Sequence, residues 1–297
     1  MVVKSKKKKD DSLFVVSKDK RLYNFKEYND LTINESRILN SYLAKINYKD
    51  KKTAKRHINV KWITNMFHLK TDVGILKAVE TFKEHNRWTN DSTGETIEVF
   101  ETIELGLNSD YEKMLILKCT PEAEEYFFPT KRFTAYSIKN ITKLKSHKCV
   151  TFYELLVDLM NLSEYKDKKG KSLAQKGYNY YNSFKPQYRV DNLIKKLGLN
   201  SEKCKNYTDL QNNFFRDCVE KINSDTDISI RIEKKRLRRK TEKISIDIER
   251  KSKIEKEISE INDECIDKAV VNFEMKEEFN TDYGITEDDD EYDEYSA

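Results

Sequence analysis

Two short isoleucine runs restrict this chain more than any other feature. Ile228, Ile230 and Ile232 alternate with polar residues, and so do Ile244, Ile246 and Ile248. A period of two puts each set on one face of a strand, so the pair reads as a β-hairpin with one face on a core. Between the runs sits "KKRLRRK" (234–240), six cations and one leucine, without the Asn-Gly or Asp-Gly that a tight turn prefers. Like charges crowded on a hairpin tip repel. They are tolerated where the tip is solvated or meets a strongly anionic partner.

The rest of the chain is compatible with such a partner. Its 297 residues suit two domains of ordinary size. Charged residues (36%) nearly equal apolar ones (37%), which implies small cores and a heavily charged surface. From Glu287 to Glu294 the tail "EDDDEYDE" holds seven acids, and setting these aside raises the formal net charge from +4 to +11. A basic body with an acidic tail points to a polyanion or to a solvated lysine-rich surface. The arm at residues 1–12, with its run "KSKKKK", carries the same two readings.

Other classes find little support. No run of 18 apolar residues occurs, so no membrane-spanning helix is expected, and the basic N-terminus lacks the apolar stretch of a secretory signal. The five cysteines (119, 149, 204, 218, 265) are odd in number and widely spaced, as in a reducing cytoplasm. Lysine outnumbers arginine 44 to 12 with abundant Asn and Ile, which suggests an A/T-rich bacterial genome or its mobile elements. "GKS" at 170–172 ends like a phosphate-binding loop, but the glycine needed five residues earlier is Tyr165. His57, His68, His85 and His147 form neither HxH nor HExxH, so no metal site and no metal-assisted strand nicking is expected. No catalytic constellation, cofactor or metal is expected.

The chain also repeats an order of elements. "LTINESRILNSYLAKIN" (31–47) begins at Thr32 with Glu35 three residues on, a capping box, and its stripe is Ile38, Leu39, Tyr42, Leu43 and Ile46. A short strand (56–60), a short helix (61–69) and a second helix (71–85, with Val73, Leu76, Val79 and Phe82 inward) follow. Strands at 96–105 and 113–119 close the set. Helix, strand, helix, turn, helix, hairpin is the order of a winged helix-turn-helix. It recurs as an apolar helix (149–161), a short helix (189–199) closed by Gly198, a longer helix (207–223) begun by Thr208, and the isoleucine hairpin as wing. Between the copies, 120–147 reads as a capped helix that breaks at Pro129 and resumes as a helix bridging the domains. The expected fold class is α+β, predominantly helical. Its divisions are a basic arm (1–12), winged helix 1 (13–135), winged helix 2 (136–250), an amphipathic helix (251–285) and an acidic tail (286–297).

On these residues the chain resembles the plasmid replication initiators of the tandem winged-helix, iteron-binding type. "RFTAYSIKNITKLKSHKCVTFYELLVDLMN" is similar to their central signature. "NYTDLQNNFFRDCVEKINSDTDISIRIEKKRLRRKTEKISIDIE" is similar to their second-domain reading helix and wing, and "YNDLTINESRILNSYLAKIN" looks like their opening helix. The resemblance covers roughly residues 13–250, and the wing turn departs from it in having no glycine among its cations. It implies a protein that binds origin repeats (iterons), opens adjacent A/T-rich DNA and recruits the host initiator and replicative helicase. It also implies a homodimer formed through the first domain, with a monomeric DNA-bound form. A winged-helix transcriptional repressor, with its own gene as one candidate target, is the alternative.

A reading helix buries one side and offers the other to the major groove. On a 100° wheel, Leu210, Phe214, Phe215, Cys218, Val219 and Ile222 of 207–223 share one sector, opposite Asp209, Asn212, Asn213, Arg216 and Glu220. Asn pairs with adenine and Arg with guanine, which makes Asn212, Asn213 and Arg216 the candidate base readers. Lys203, Lys205 and the helix start at Thr208 are candidates for phosphate. So are Lys234, Lys235, Arg236, Arg238, Arg239 and Lys240 on the wing. The first wing instead projects Glu98, Glu101 and Glu104, a poor phosphate clamp suited to a protein contact or to plain exposure. The stripe Ile254, Ile258, Ile261 and Cys265 marks the C-terminal helix, to pack back on the second domain or to meet a partner. The acidic tail is either a solubilising extension or a competitor with DNA for the basic surface.

Overall fold

The computed structural model describes residues 14–46, 55–129, 133–164, 187–200, 202–237 and 241–251. The arm, the acidic tail and all but the first residue of the expected C-terminal helix lie outside them.

The chain opens with strand β1 (Val15–Asp19), a 3-10 turn (Lys20–Asn24) and α1 (Lys26–Asp30). Helix α2 (Ile33–Ala44) starts at the expected capping box, where Thr32 accepts from the Glu35 N–H and Glu35 accepts from the Thr32 N–H. Then come β2 (Arg56–Asn59), α3 (Val60–Met66) and α4 (Val73–Glu84). On α4 the buried side chains are Ile75, Ala78, Val79 and Phe82, while Val73, expected inward, is 51% exposed. The face is turned by about one position from the simple wheel. The strand expected at 96–105 is two strands. β4 (Thr96–Glu98) pairs with β3 (Arg87–Thr89), and β5 (Phe100–Leu107) pairs with β6 (Lys113–Cys119). At the break, the Val99 N–H donates to the Asn86 carbonyl and the Val99 carbonyl accepts from the Thr120 N–H. The three-stranded sheet has the order β2-β6-β5, which places the β5–β6 wing beside β2.

Thr120 caps α5 (Pro121–Phe127), as its sequence suggests. The bridging helix expected after Pro129 is not there. Residues 133–137 form strand β7 (Phe133–Ser137), which pairs with β1 in the register Val15↔Ser137 to Asp19↔Phe133 and runs into a 3-10 turn (Ile138–Ile141). The partner strand lies more than a hundred residues away, so no local pattern marks this segment as a strand.

Helix α6 (His147–Glu164) follows, and every residue from Cys149 to Met160 is buried. A helix covered on all sides is a spine between two packed bodies. Its polar side chains show which body each face meets. His147, Glu154 and Asp158, at helical spacing, bond the first unit through Ser36, Lys18 and Lys20, whereas Phe152 packs on Phe214 and Phe215 of the second. The second unit continues with β8 (Gln187–Arg189), α7 (Val190–Lys196), α8 (Tyr207–Leu210), a π-helical turn (Gln211–Phe215), α9 (Arg216–Asp225), β9 (Ile228–Leu237) and β10 (Thr241–Arg250). Its sheet order, β8-β10-β9, repeats that of the first unit.

The repeat extends to the backbone of one turn. After α7, Gly198 adopts φ +56°, its N–H meets the Lys195 carbonyl, and the Leu199 N–H reaches back to Ile194. After α3, His68 adopts φ 51°, with the bonds His68 to Asn65 and Leu69 to Thr64. Both are Schellman endings, in which a left-handed residue lets the last carbonyls find donors. Glycine does this without strain; histidine does it at some cost.

Candidate nucleic-acid interface

The isoleucine hairpin is present as β9 and β10. Ile230, Ile246 and Ile248 are buried, Ile232 is half-buried, and the register pairs Ile246 with Ile232 and Ile248 with Ile230. The strands run further than the isoleucines. Lys234, Lys235, Arg236 and Leu237 belong to β9 and pair with Ile244, Lys243, Glu242 and Thr241 in turn, so the ladder runs through the first half of the cationic run. Three of the six cations, Lys234, Lys235 and Arg236, therefore lie at strand positions rather than on a tip. Spread at the strand rise of about 3.3 Å per residue, they repel less than cations gathered in a loop. Arg238, Arg239 and Lys240 fall outside the described residues. Lys234 is half-buried, with its ammonium 5.2 Å from the ring centroid of Tyr207, so the wing strand is docked on the start of the reading helix.

That helix starts at Tyr207, the first residue of its expected span, but its cap lies two residues before Thr208. Asn206, not Thr208, is the cap: its side chain accepts from the Asp209 N–H, and the Asp209 carboxylate accepts from its amide. Thr208 is exposed within the first turn. Lys203 and Lys205 are exposed in the loop just before, and Asn200 holds that loop by accepting from the N–H groups of Glu202 and Lys203. The Asp209 carboxylate at the helix start opposes an anion there, so phosphate attraction falls to the two lysines rather than to the backbone alone.

The buried side of the helix holds Leu210, Phe215, Cys218 and Ile222, with Phe214 and Val219 half-buried. The step from 210 to 215 is five residues because Arg216 gives its N–H to the Gln211 carbonyl, an i→i+5 bond. This widened turn lets two successive rings pack on Phe152, each with its centroid 5.6 Å away. Asn212, Asn213 and Arg216 are exposed on the other side, together with Glu220. Asn213 donates to the Lys203 carbonyl at 2.5 Å, which ties the reading face to the lysine loop. Arg216 bonds its neighbour Asp217 at 3.1 Å, a solvent-exposed contact of small strength that leaves the guanidinium free to turn outward.

The first unit offers a different surface. Glu98, Glu101 and Glu104 are exposed, Glu101 facing Lys118 at 2.5 Å. The edge strand β5 leaves Leu105 (42%) and Leu107 (65%) exposed near its end. Among the described residues no group of three or more His, Cys, Asp or Glu is placed to hold a metal, and no helix is long and apolar enough to cross a membrane.

Two winged helices in tandem, joined through a shared buried helix, define the class of this protein. The model of the family described as "Initiator Replication protein, WH1" matches residues 15–157, and that described as "Initiator Rep protein, WH2" matches residues 189–248; the chain belongs to this family of replication initiators. Among solved structures, the Pi initiator protein, crystallised in complex with iteron DNA, is similar with a TM-score of 0.59 at 14% identity, over 81% of this chain and 99% of that one. No curated protein sequence matches.

Proposed function

We propose that this initiator binds repeated double-stranded sites at a plasmid origin, with the second unit as its main DNA-reading module. The observation that carries the reading is one continuous surface: the exposed Asn212, Asn213 and Arg216, the lysine loop at 203–205 that Asn213 touches, and the cation-bearing strand β9 docked through Lys234 on Tyr207. Asn and Arg supply the paired donors and acceptors that discriminate bases, and the surrounding cations supply the sequence-independent attraction to phosphate. The iteron complex of the Pi initiator, which shares the fold, supports repeats as the target.

The first unit serves self-association in this reading. Its strand β5 is, among the described residues, an edge strand and carries the exposed Leu105 and Leu107, a combination that invites a further strand. Opening of adjacent A/T-rich DNA and recruitment of host initiator and helicase complete the reading, driven by binding energy without a catalytic step.

The test is a set of anisotropy titrations on a repeat taken from the DNA flanking the gene and on a random duplex. Arg216→Ala should weaken the repeat by about 1–3 kcal/mol and leave the random duplex nearly unchanged. Arg238→Ala with Arg239→Ala should weaken both and flatten the slope of log K against log salt by about 1.8, at roughly 0.9 per phosphate contact. Equal losses for Arg216→Ala on both duplexes would remove it from base reading. Permanganate footprints that show binding without opening would favour a repressor over an initiator.

A further inference from the structure

Behind the reading face, two thiols touch. Cys149 lies in the first turn of α6 and Cys218 in α9, each 4% exposed, with their sulfur atoms 2.7 Å apart. They are 69 residues apart in sequence, so their meeting is a product of packing α6 against the reading helix. A disulfide bond measures 2.03–2.05 Å, so bond formation asks for less than about 1 Å of further approach.

We propose that Cys149 and Cys218 form an oxidisable pair, a modification site that closes to an intramolecular disulfide and staples α6 to the reading helix. Burial, with Cys149 adjoining, pushes the Cys218 thiol well above the ordinary cysteine value, so the pair rests as thiols in a reducing compartment. Reaction then requires local opening of the helix pair and a diffusible oxidant of the peroxide class. The Cys218 thiolate attacks one peroxide oxygen and the O–O bond breaks, leaving a sulfenic acid and a hydroxide that is protonated to water. The Cys149 sulfur attacks the sulfenic sulfur, the S–S bond forms, the S–O bond breaks, and the departing hydroxide takes the Cys149 proton. Two electrons pass from the sulfurs to the peroxide, and two waters are released. Because the sulfurs already adjoin in the folded state, the bond preserves the native arrangement. It constrains the unfolded chain over a long loop and therefore raises the melting temperature.

The test uses the full-length protein treated with graded hydrogen peroxide, blocked with N-ethylmaleimide and digested without reductant for peptide mass mapping. The expected product is one linked peptide pair containing Cys149 and Cys218, lighter by two hydrogens, on a chain that stays monomeric in a non-reducing denaturing gel. Its melting temperature should rise and return to the starting value with dithiothreitol. Cys149→Ala should abolish both the link and the rise; if that variant folds poorly, the mapping of the unaltered protein decides alone. Over-oxidation of Cys218 with Cys149 still alkylated would overturn the proposal. So would bridges between chains, or a linked pair without a gain in melting temperature.

Discussion

Glu154→Gln isolates the charge that joins the two winged helices. The Glu154 carboxylate is fully buried on α6 and lies 2.5 Å from the Lys18 ammonium of β1, which is itself 2% exposed. Tyr28 and Tyr23 donate to its second oxygen at 3.2 and 3.4 Å, and Tyr136 donates to the oxygen that Lys18 holds. Glutamine keeps the volume and removes the anion. Lys18 is then left with the Tyr28 hydroxyl at 2.6 Å and no opposite charge in this cluster. Removing one partner of a buried pair costs about 3–5 kcal/mol, or roughly 6–20 °C in melting temperature for a chain of this size class. Desolvation already holds Lys18 below its ordinary value of 10.5 with Glu154 present, and loss of the anion lowers it further. Between that lowered value and 10.5 the unfolded chain binds a proton that the folded chain does not, so the stability of the variant should rise with pH across that window. Urea denaturation followed by the fluorescence of Trp62 and Trp88 at several pH values measures both effects. Adding Lys18→Met should recover most of the loss, because the stranded charge is then gone. A loss below about 1 kcal/mol, or a double variant no better than the sum of the singles, would refute the reasoning.

The two Schellman turns predict opposite responses. Gly198→Ala forces an alanine to φ +56° with its Cβ 2.9 Å from both Asn29 Cβ and Lys148 Nζ, and should cost more than the roughly 1–2 kcal/mol of the backbone alone. His68→Gly relieves the same conformation in the first unit and should stabilise by about 0.5–1 kcal/mol, read from the shift in denaturation midpoint. His147 gives a pH signature. Burial, followed by the charges of Lys18 and Lys148, pushes its imidazole down to about 3. Below pH 6.5 the unfolded chain takes a proton that the folded one refuses, so stability should fall by about 1.4 kcal/mol per pH unit towards pH 3. His147→Asn should remove that part of the slope; parallel slopes in the two proteins would count against it.

How much of this was legible in the sequence depended on the range of the interactions. The isoleucine hairpin, the Thr32 capping box, the Thr120 cap and the Gly198 turn are local patterns, and each is found where its residues say. Strand β7 is not local. Phe133–Ser137 reads as a continuation of helix because its strand character comes from β1, far back in the chain. The polar stripe of α6 was present as letters, at 147, 154 and 158, but its meaning required Ser36, Lys18 and Lys20 to arrive from the other unit. At the candidate interface, Asn206 and Thr208 are both good caps, and only the hydrogen bonds choose Asn206. The exposed sides of Asn212, Asn213 and Arg216 followed from the 100° wheel despite its regular turn. The tie from Asn213 to Lys203 and the seat of Lys234 on Tyr207 did not, since both join separate elements.

The π-helical turn at Gln211–Phe215 has a consequence for how a helix of this kind changes its target. A wide turn of this sort is an ordinary α-helix carrying one extra residue. The flanking seats on the core, Leu210 on one side and Cys218 and Ile222 on the other, do not depend on which side chain occupies the outward bulge. Removing one residue from the turn would restore the regular pitch and rotate the outward side chains of that turn by about 100° relative to the seats. A single codon lost at this spot thus exchanges the letters presented to the groove while Leu210, Cys218 and Ile222 keep their seats, at the expense of the double packing of Phe214 and Phe215 on Phe152.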